Sequence, residues 1–295
     1  MKVAICAIAK NENRYIREWV EWHKNLGISK IFLYDNNDPE GERFDEVIDD
    51  YIKSGFVEII DVRGEEVSSI LFTRDRKAYR GSIQHKCYID CYYNRVSDFD
   101  WVFFGDIDEF LKFKYGYTLE TFLNQDVFED ADTICVPWVT YDDNDLLHYD
   151  DRPVVERFTR ESDYQWRLVK SFVRTNKMMY DDSMRHIIHT FRLKGDRVKF
   201  ADGSKLLYVD NVMNFYSVNP STVNDSKCVV NHYKTKTIEE YLEKRHNRTW
   251  AQDDIFAKPI LETLDKTLED FFKYCKKTDE KMKIIDEFKI KNNIE

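Results

Sequence analysis

The chain has 295 residues, 42% of them hydrophobic and 15% aromatic, which suits one large α/β domain, or one with an appendage, and excludes a disordered polypeptide. A net charge of −10 argues against a general nucleic-acid binder, because a phosphate backbone needs a basic face. Glycine is scarce, and the absence of any Gly-x-Gly-x-x-Gly or Gly-x-x-x-x-Gly-Lys-Ser/Thr loop disfavours classical dinucleotide and P-loop sites.

Residues 1–9 are apolar but too short for a signal peptide, and Lys10, Asn11 and Glu12 follow at once. No run approaches the length of a membrane span. The six cysteines are scattered without a Cys-x-x-Cys pair, and Cys6 and Cys135 sit in apolar runs as reduced core residues would. These features lead us to expect a cytoplasmic location.

Val3–Ala9 reads as a strand buried on both faces. After the polar loop at 10–13, residues 15–26 read as a helix, with Tyr15, Ile16, Trp19, Val20, Trp22 and Leu26 near helical spacing and Gly27 as its stop. A second strand over 28–34 leads into the turn-rich stretch 35–41. A helix over 44–54 and a strand over 56–62 complete a β-α-β-α-β order, which calls for a parallel sheet with right-handed crossovers. Ligands of such sheets sit at the carboxyl ends of the strands. Residues 10–12, 35–38 and 106–108 would gather there.

The region 68–96 is expected to contain a helix carrying Arg74, Arg76, Lys77, Arg80, Gln84 and Lys86. For each of these singly a solvated helix face is the commoner meaning, but some would offer charge to a phosphate. The apolar run Trp101–Phe104 then reads as a buried strand, broken by Gly105 and followed by Asp106, Ile107, Asp108 and Glu109. On an extended segment Asp106 and Asp108 face one side while Ile107 stays in the core. Two carboxylates at a buried strand end are costly unless something positive neutralises them. The simplest partner is a hard divalent cation, Mn²⁺ or Mg²⁺, carrying phosphate oxygens on its open positions. The bland alternative is a strand that ends in an acidic turn.

Beyond this point 118–123 reads as a short helix and 133–139 as a buried strand delivering an acidic loop over 141–151. Residues 153–215 look like a mixed β region, with a strand within 164–173. His186 and His189 stand at i and i+3, close enough in a helix to share a metal, although such a pair is more often coincidence. A short strand over 229–233 contains His232. From residue 238 the pattern is helical to the end, and its last turns are rich in lysine: Lys273, Lys276, Lys277, Lys281, Lys283, Lys289 and Lys291. A solvated face is the first reading of these, and a weak peripheral contact with an anionic membrane surface the second. The domain organisation expected is 1–237 followed by a helical extension over 238–295.

The stretch from Ala7 through Lys10, Asn11, Glu12, Tyr15 and Trp19, and His23 to Ile28 leading into Tyr34, Asp35 and Asn36, resemble the family 2-like glycosyltransferases related to glycosyltransferase family 92. The block Asp106-Ile107-Asp108-Glu109-Phe110-Leu111 is similar to that group's Asp-x-Asp-Glu-Phe-Leu. Lys170 to Val173, His189, and Asn231-His232-Tyr233 with Thr235 to Leu242 resemble its later blocks, in the family's order, over about residues 3–245. The resemblance implies a GT-A fold, a Rossmann-like mixed and mainly parallel sheet flanked by helices. It also implies a nucleotide-sugar donor and a divalent metal. By that comparison Asp108 ligates the metal, Asp106 holds the ribose or reaches the metal, and His232 closes the metal site. Lys10, Asn11, Glu12, Asp35 and Asn36 flank the nucleoside, with Gln84 near it. Gly105 departs from the pattern, since a larger apolar residue often precedes Asp-x-Asp in the family.

The chemistry of the residues points the same way. Transfer from a sugar nucleotide requires neutralising a departing diphosphate, which a carboxylate-held metal does as a Lewis acid. An inverting transfer also needs a general base on the acceptor hydroxyl. The candidates are Asp142, Asp143 and Asp145 on the loop after the next strand, His189, and Asp181 or Asp182. The leading expectation is a metal-dependent inverting transferase moving a hexose from a UDP-sugar to a glycan or lipid-linked acceptor. A metal-dependent nucleotidyltransferase is the second enzyme class, weakened because Gly81-Ser82 lies far upstream of the acidic strand. A non-catalytic nucleotide-sugar-binding protein is the third reading. A haloacid-dehalogenase-type phosphatase is disfavoured, since its Asp-x-Asp follows the first strand and Phe110 stands where Thr or Val is expected.

Overall fold

The computed structural model describes residues 1–65, 70–72, 78–80, 83–165, 168–177, 189–190, 193, 197–205, 220–246 and 260–294. Arg74, Arg76, Lys77, Gly81, Ser82, Asp181, Asp182 and His186 lie outside the described residues, as does the side chain of Arg80. The strands are β1 (Val3–Ala9), β2 (Lys30–Asp35), β3 (Val57–Asp61), β4 (Ile70–Phe72), β5 (Ala78–Arg80), β6 (Trp101–Phe104), β7 (Glu109–Phe113), β8 (Thr133–Thr140), β9 (Val169–Arg174), β10 (Val198–Phe200) and β11 (Cys228–His232). The helices are α1 (Asn13–Asn25), α2 (Asp45–Lys53), α3 (Ile83–Asn94), α4 (Leu119–Leu123), α5 (Val154–Arg157), α6 (Pro220–Asp225), α7 (Ile238–His246), α8 (Ile260–Tyr274) and α9 (Asp279–Lys291).

The chain forms two compact units, Met1–Trp138 with Arg167–Asn231, and Val139–Trp166 with His232–Glu295. The sequence reading cuts the chain once, after residue 237. In the structure the loop beyond β8 belongs with the C-terminal helices, so the second unit is discontinuous.

The main sheet runs β3-β2-β1-β6-β9-β8-β11-β7, with β10 beside β8. It is parallel through β3, β2, β1 and β6, then β9 enters antiparallel to both β6 and β8. The α/β sheet expected from the sequence, mixed and mainly parallel with flanking helices, is therefore present. Its central strands are legible because they are apolar on both faces: Val3, Ala4, Ile5, Cys6 and Ala7 are all buried, as is every residue of β6. One face of the sheet packs Ala4, Cys6, Phe32, Tyr34, Val102 and Phe104 against Ile83, Cys87, Tyr88, Cys91 and Tyr92 of α3, which at i, i+4, i+5, i+8 and i+9 share one helix face.

Two local expectations change. Among the described residues of 68–96 the helix is Ile83–Asn94, which carries Gln84 and Lys86; before it, β4 and β5 pair antiparallel, Ile70 opposite Arg80. Short aromatic and aliphatic runs there find each other locally and leave no helical repeat to propagate. The acidic stretch after β6 does not continue as an extended segment either. Glu109 N–H donates to the Asp106 carbonyl at 3.1 Å, so residues 106–109 form a tight turn and β7 starts at once. Ile107 is nevertheless buried, as expected.

Helix α1 fastens this turn from behind. The indoles of Trp19 and Trp22 donate to the carbonyls of Glu109 and Leu111, each at 2.8 Å, and Leu111 N–H donates to Nε2 of the buried His23 at 3.4 Å. Strand β7 ends the sheet order, and α1 thus satisfies part of an edge that would otherwise be bare.

In the second unit, Ile238, Tyr241, Leu242, Leu264, Phe271, Tyr274, Cys275 and Ile285 form one core shared by α7, α8 and α9. Arg157 and Glu240, both almost fully buried, make a two-pronged pair at 2.8 and 3.0 Å, and Glu240 also closes a cap with Thr237 at the start of α7. Residues 260–294 carry eight lysines and eight carboxylates, which fits a solvated surface of mixed sign. No helix among the described residues is long and apolar enough to cross a membrane.

Candidate functional site

The carboxyl ends of β1, β2 and β6 bring three loops to one edge of the first unit. Asn36 N–H donates to the Ala9 carbonyl at 2.9 Å, and Lys10 Nζ meets Asp38 at 2.6 Å. Asn11 adopts φ +56°, a conformation asparagine tolerates, and its N–H donates to Asn37 Oδ1 at 2.7 Å. Lys10, Asn11, Asp35 and Asn36 therefore belong to one joined loop pair. Glu12 is buried beside them, and its carbonyl opens α1 by accepting from Ile16 N–H at 2.9 Å.

Asp35 itself is occupied. Its Oδ2 accepts from Arg63 Nε at 2.8 Å and from the second guanidinium nitrogen at 2.5 Å, while Oδ1 accepts from the backbone and side-chain N–H groups of Asn37 at 3.0 and 2.8 Å. With 3% of its side chain exposed, it organises the loop. Arg63 follows β3 at the same edge and was not singled out from sequence. Its position one residue past an apolar strand end is the signal that could have found it.

The acidic turn is built differently from the expectation that a metal alone balances it. Lys170, fully buried on β9, places Nζ 2.9 Å from Asp106 Oδ2 and 3.4 Å from Glu109 Oε2. Gln84 Nε2 donates to Asp106 Oδ1 at 2.9 Å, and the Tyr88 hydroxyl approaches the same oxygen at 3.4 Å. Asp106 N–H donates to Glu109 Oε2 at 3.0 Å. Burial pushes the Glu109 carboxyl well above the usual carboxylate range, against the pull of Lys170. Burial also opposes charge on Lys170, but Asp106, Glu109 and Asp108 together outweigh it and hold the ammonium above its usual range. Gln84, expected beside the nucleoside, is thus tied to Asp106. Lys170 was noticed only as part of a sequence block. A lone lysine inside the apolar run from Leu168 to Val173 is its signal, because a buried lysine requires a carboxylate partner.

Gly105 has a steric reason for departing from a larger residue. A Cβ there would lie 2.7 Å from Cε1 of Phe103, a buried ring packed 4.9 Å from Phe172. We expect Gly105→Ala to cost about 1–3 kcal/mol of stability through overpacking. An unchanged urea midpoint would mean the Phe103 ring yields without strain.

Asp108 is half-buried and adds its negative charge to the field at Glu109 and Lys170. Oxygen donors of this kind suit a hard cation of the Mg²⁺ or Mn²⁺ type. Among the described residues, no three His, Cys, Asp or Glu side chains are gathered to hold a metal. His189, also in the first unit, places Nδ1 3.1 Å from the Val169 carbonyl and its ring against Trp138 at 5.4 Å. A carbonyl only accepts, so Nδ1 carries a proton in this arrangement.

The remaining sequence candidates belong to the second unit. Asp143 is fully buried and ion-paired with the equally buried Lys281 of α9. Burial pushes its carboxyl upward while Lys281 pulls it down. Asp142 is held by Arg160 at 2.5 Å, and Asp145 by the same guanidinium at 2.8 Å. These pairings give the acidic loop a structural role and leave neither Asp142 nor Asp143 placed as an open base. His232 is buried, and its carbonyl accepts from Tyr141 N–H at 3.2 Å.

The family model of glycosyltransferase family 92 matches residues 1–293. The chain belongs to glycosyltransferase family 92. The match takes in the final helices, which the sequence resemblance left outside. A family 92 protein of Oryza sativa subsp. japonica is 24% identical over 247 residues, 83% of this chain and 35% of that protein. The family 92 chain thus spans about a third of the length of this relative. Among solved structures, S. aureus TarS 1-349 in complex with UDP-GlcNAc is 11% identical, covers 48% of this chain and 35% of that one, and gives a TM-score of 0.30. The galactosyltransferase LgtC in complex with donor and acceptor sugar analogs is 13% identical, covers 78% and 86%, and gives 0.34.

Proposed function

We propose that this family 92 chain is a metal-dependent, inverting glycosyltransferase that moves a hexose from a UDP-sugar to a hydroxyl of a glycan or lipid-linked acceptor. The observation that carries the reading is the acidic turn at the carboxyl edge of a parallel β-α-β unit, within a chain matched almost end to end by the family. Asp108 would hold the Mn²⁺ or Mg²⁺ ion. When bound, that ion supplies Lewis-acid neutralisation of the departing diphosphate.

The chain's own residues account for the rest. The joined loops at 10–12 and 35–38 form the wall against which the nucleoside lies, with Lys10 near enough to offer charge. Arg63 and Asn37 keep Asp35 fixed, so that wall is set before the donor arrives. For the base, His189 is the candidate we favour, its ring held through Nδ1 by the Val169 carbonyl. Asp142 and Asp143 are committed to Arg160 and Lys281 instead.

The test is thermal stabilisation against a panel of nucleotides and sugar nucleotides, with and without Mn²⁺. A ligand present at a hundredfold its Kd stabilises the native state by about 2.7 kcal/mol, which raises Tm by several degrees in a protein of this size. We expect a shift with UDP or one UDP-sugar that requires Mn²⁺ and disappears in Asp108→Ala. A shift with nucleoside triphosphates and none with UDP-sugars would transfer the reading to a nucleotidyltransferase.

A further inference from the structure

We propose that Lys170 is a built-in counter-cation that holds Asp106 away from the metal and leaves Asp108 as the carboxylate that ligates directly. This rests on the metal-dependent reading above and assigns a positioning residue within it.

The register Phe104↔Ser171 carries Lys170 to the end of β6, where the acidic turn begins. Its side chain has no exposed surface, so its ammonium must be neutralised by the protein. Asp106 does so at 2.9 Å, and the fully buried Glu109 lies 3.4 Å from the same nitrogen. Among the described residues Glu109 Oε1 has no hydrogen-bond partner, so this carboxyl is not satisfied outside the cluster there. Asp106 meanwhile has both oxygens engaged, Oδ2 by Lys170 and Oδ1 by Gln84. A divalent ion that took Asp106 as a ligand would have to displace the ammonium, which has no water to retreat into, or sit beside it against charge repulsion. Asp108 acts on Lys170 through its charge, but the 2.9 Å ammonium contact is made by Asp106. Lys170 thereby sets how tightly the turn binds cation: enough for an ion that arrives with a diphosphate, too weakly for a permanent metal.

The consequence is a gain of function that loss of a merely structural contact would not produce. Wild type, Lys170→Met, Lys170→Arg, Asp106→Asn, the double variant Lys170→Met/Asp106→Asn, and Asp108→Asn are titrated with Mn²⁺, without nucleotide and at fixed UDP. Free Mn²⁺ is read from its EPR signal. We expect Lys170→Met to bind Mn²⁺ at least tenfold tighter than wild type, Lys170→Arg to stay near wild type, and Asp106→Asn to bind more weakly. The double variant removes a net-neutral pair and should return to within threefold of wild type, while Asp108→Asn should weaken binding at least thirtyfold. Lys170→Met binding no tighter than wild type, or a double variant as weak as Asp108→Asn, would overturn the assignment. If the single Lys170→Met does not fold, the charge-balanced double variant decides between the same outcomes. Absence of Mn²⁺ uptake in every protein removes the metal reading together with this inference. Uptake by wild type with the wrong pattern removes the inference alone.

Discussion

Lys281→Met is expected to lower the stability of the protein by about 3–5 kcal/mol, seen as a clear fall in the urea midpoint. The side chains of Lys281 and Asp143 are 1% and 0% exposed, so the substitution strands a carboxylate where water cannot reach it. Asp143 also accepts from the Asp145 N–H at 3.1 Å, and this cannot replace an ammonium. Lys281 Nζ also donates to the Lys276 carbonyl at 2.8 Å, so the turn between α8 and α9 loosens as well. Removing both charges at once, as Lys281→Met with Asp143→Leu, should recover most of the loss, because a well-packed apolar pair avoids the desolvation that the ion pair has to offset. The same pair of variants separates two roles for Asp143. If it anchors the acidic loop, the double variant keeps the proposed transferase activity at the wild-type level. Should the double variant fold and lose activity by orders of magnitude, Asp143 belongs to the chemistry after all.

That pair also shows where sequence reading runs out. The strands β1 and β6 announce themselves, because a strand buried on both faces is an unbroken apolar run. The parallel order of the first three strands follows from the helices between them, and with it the edge where the loops gather. The partner of a carboxylate is another matter. Asp106, Asp142 and Asp143 look alike in sequence, yet their cations come from Lys170, Arg160 and Lys281, residues that only the fold brings near. Asp106 and Lys170 are 64 positions apart. The alternation argument for Asp106 and Asp108 assumed an extended segment, and it failed because Glu109 N–H turns back onto Asp106 within three residues. The local pairing of β4 with β5 was missed for a related reason, since three-residue strands carry too little periodicity to register.

His23 should make the protein acid-sensitive in a defined window. Its Nδ1–H donates to the Trp19 carbonyl at 2.9 Å and its Nε2 accepts from Leu111 N–H, so the ring is neutral and serves as a clamp between α1 and β7. Burial lowers its pKa from 6.5 to about 4, partly resisted by the bond to Trp19. The sign follows from which state takes the proton. Above pH 6.5 the ring is neutral in both folded and unfolded chains, and its full contribution is present. Between 6.5 and about 4 the unfolded chain binds a proton that the native state refuses, so stability falls as pH falls. Below about 4 both states are protonated and the slope ends. Integrated over the interval, the loss is about 3 kcal/mol, with about 2 kcal/mol gone by pH 5. His23→Gln can still donate to Trp19 and accept from Leu111, but it does not titrate. It should be less stable than wild type at pH 7, by about 1 kcal/mol for imperfect bonds, and more stable than wild type near pH 4.5. The two stability curves therefore cross. Urea midpoints for both proteins at pH 7, 5 and 4.5 check this. Parallel curves over that range would mean that His23 takes up its proton in the native state as readily as in the unfolded one. The clamp on the edge strand would then tolerate an imidazolium beside the Leu111 N–H.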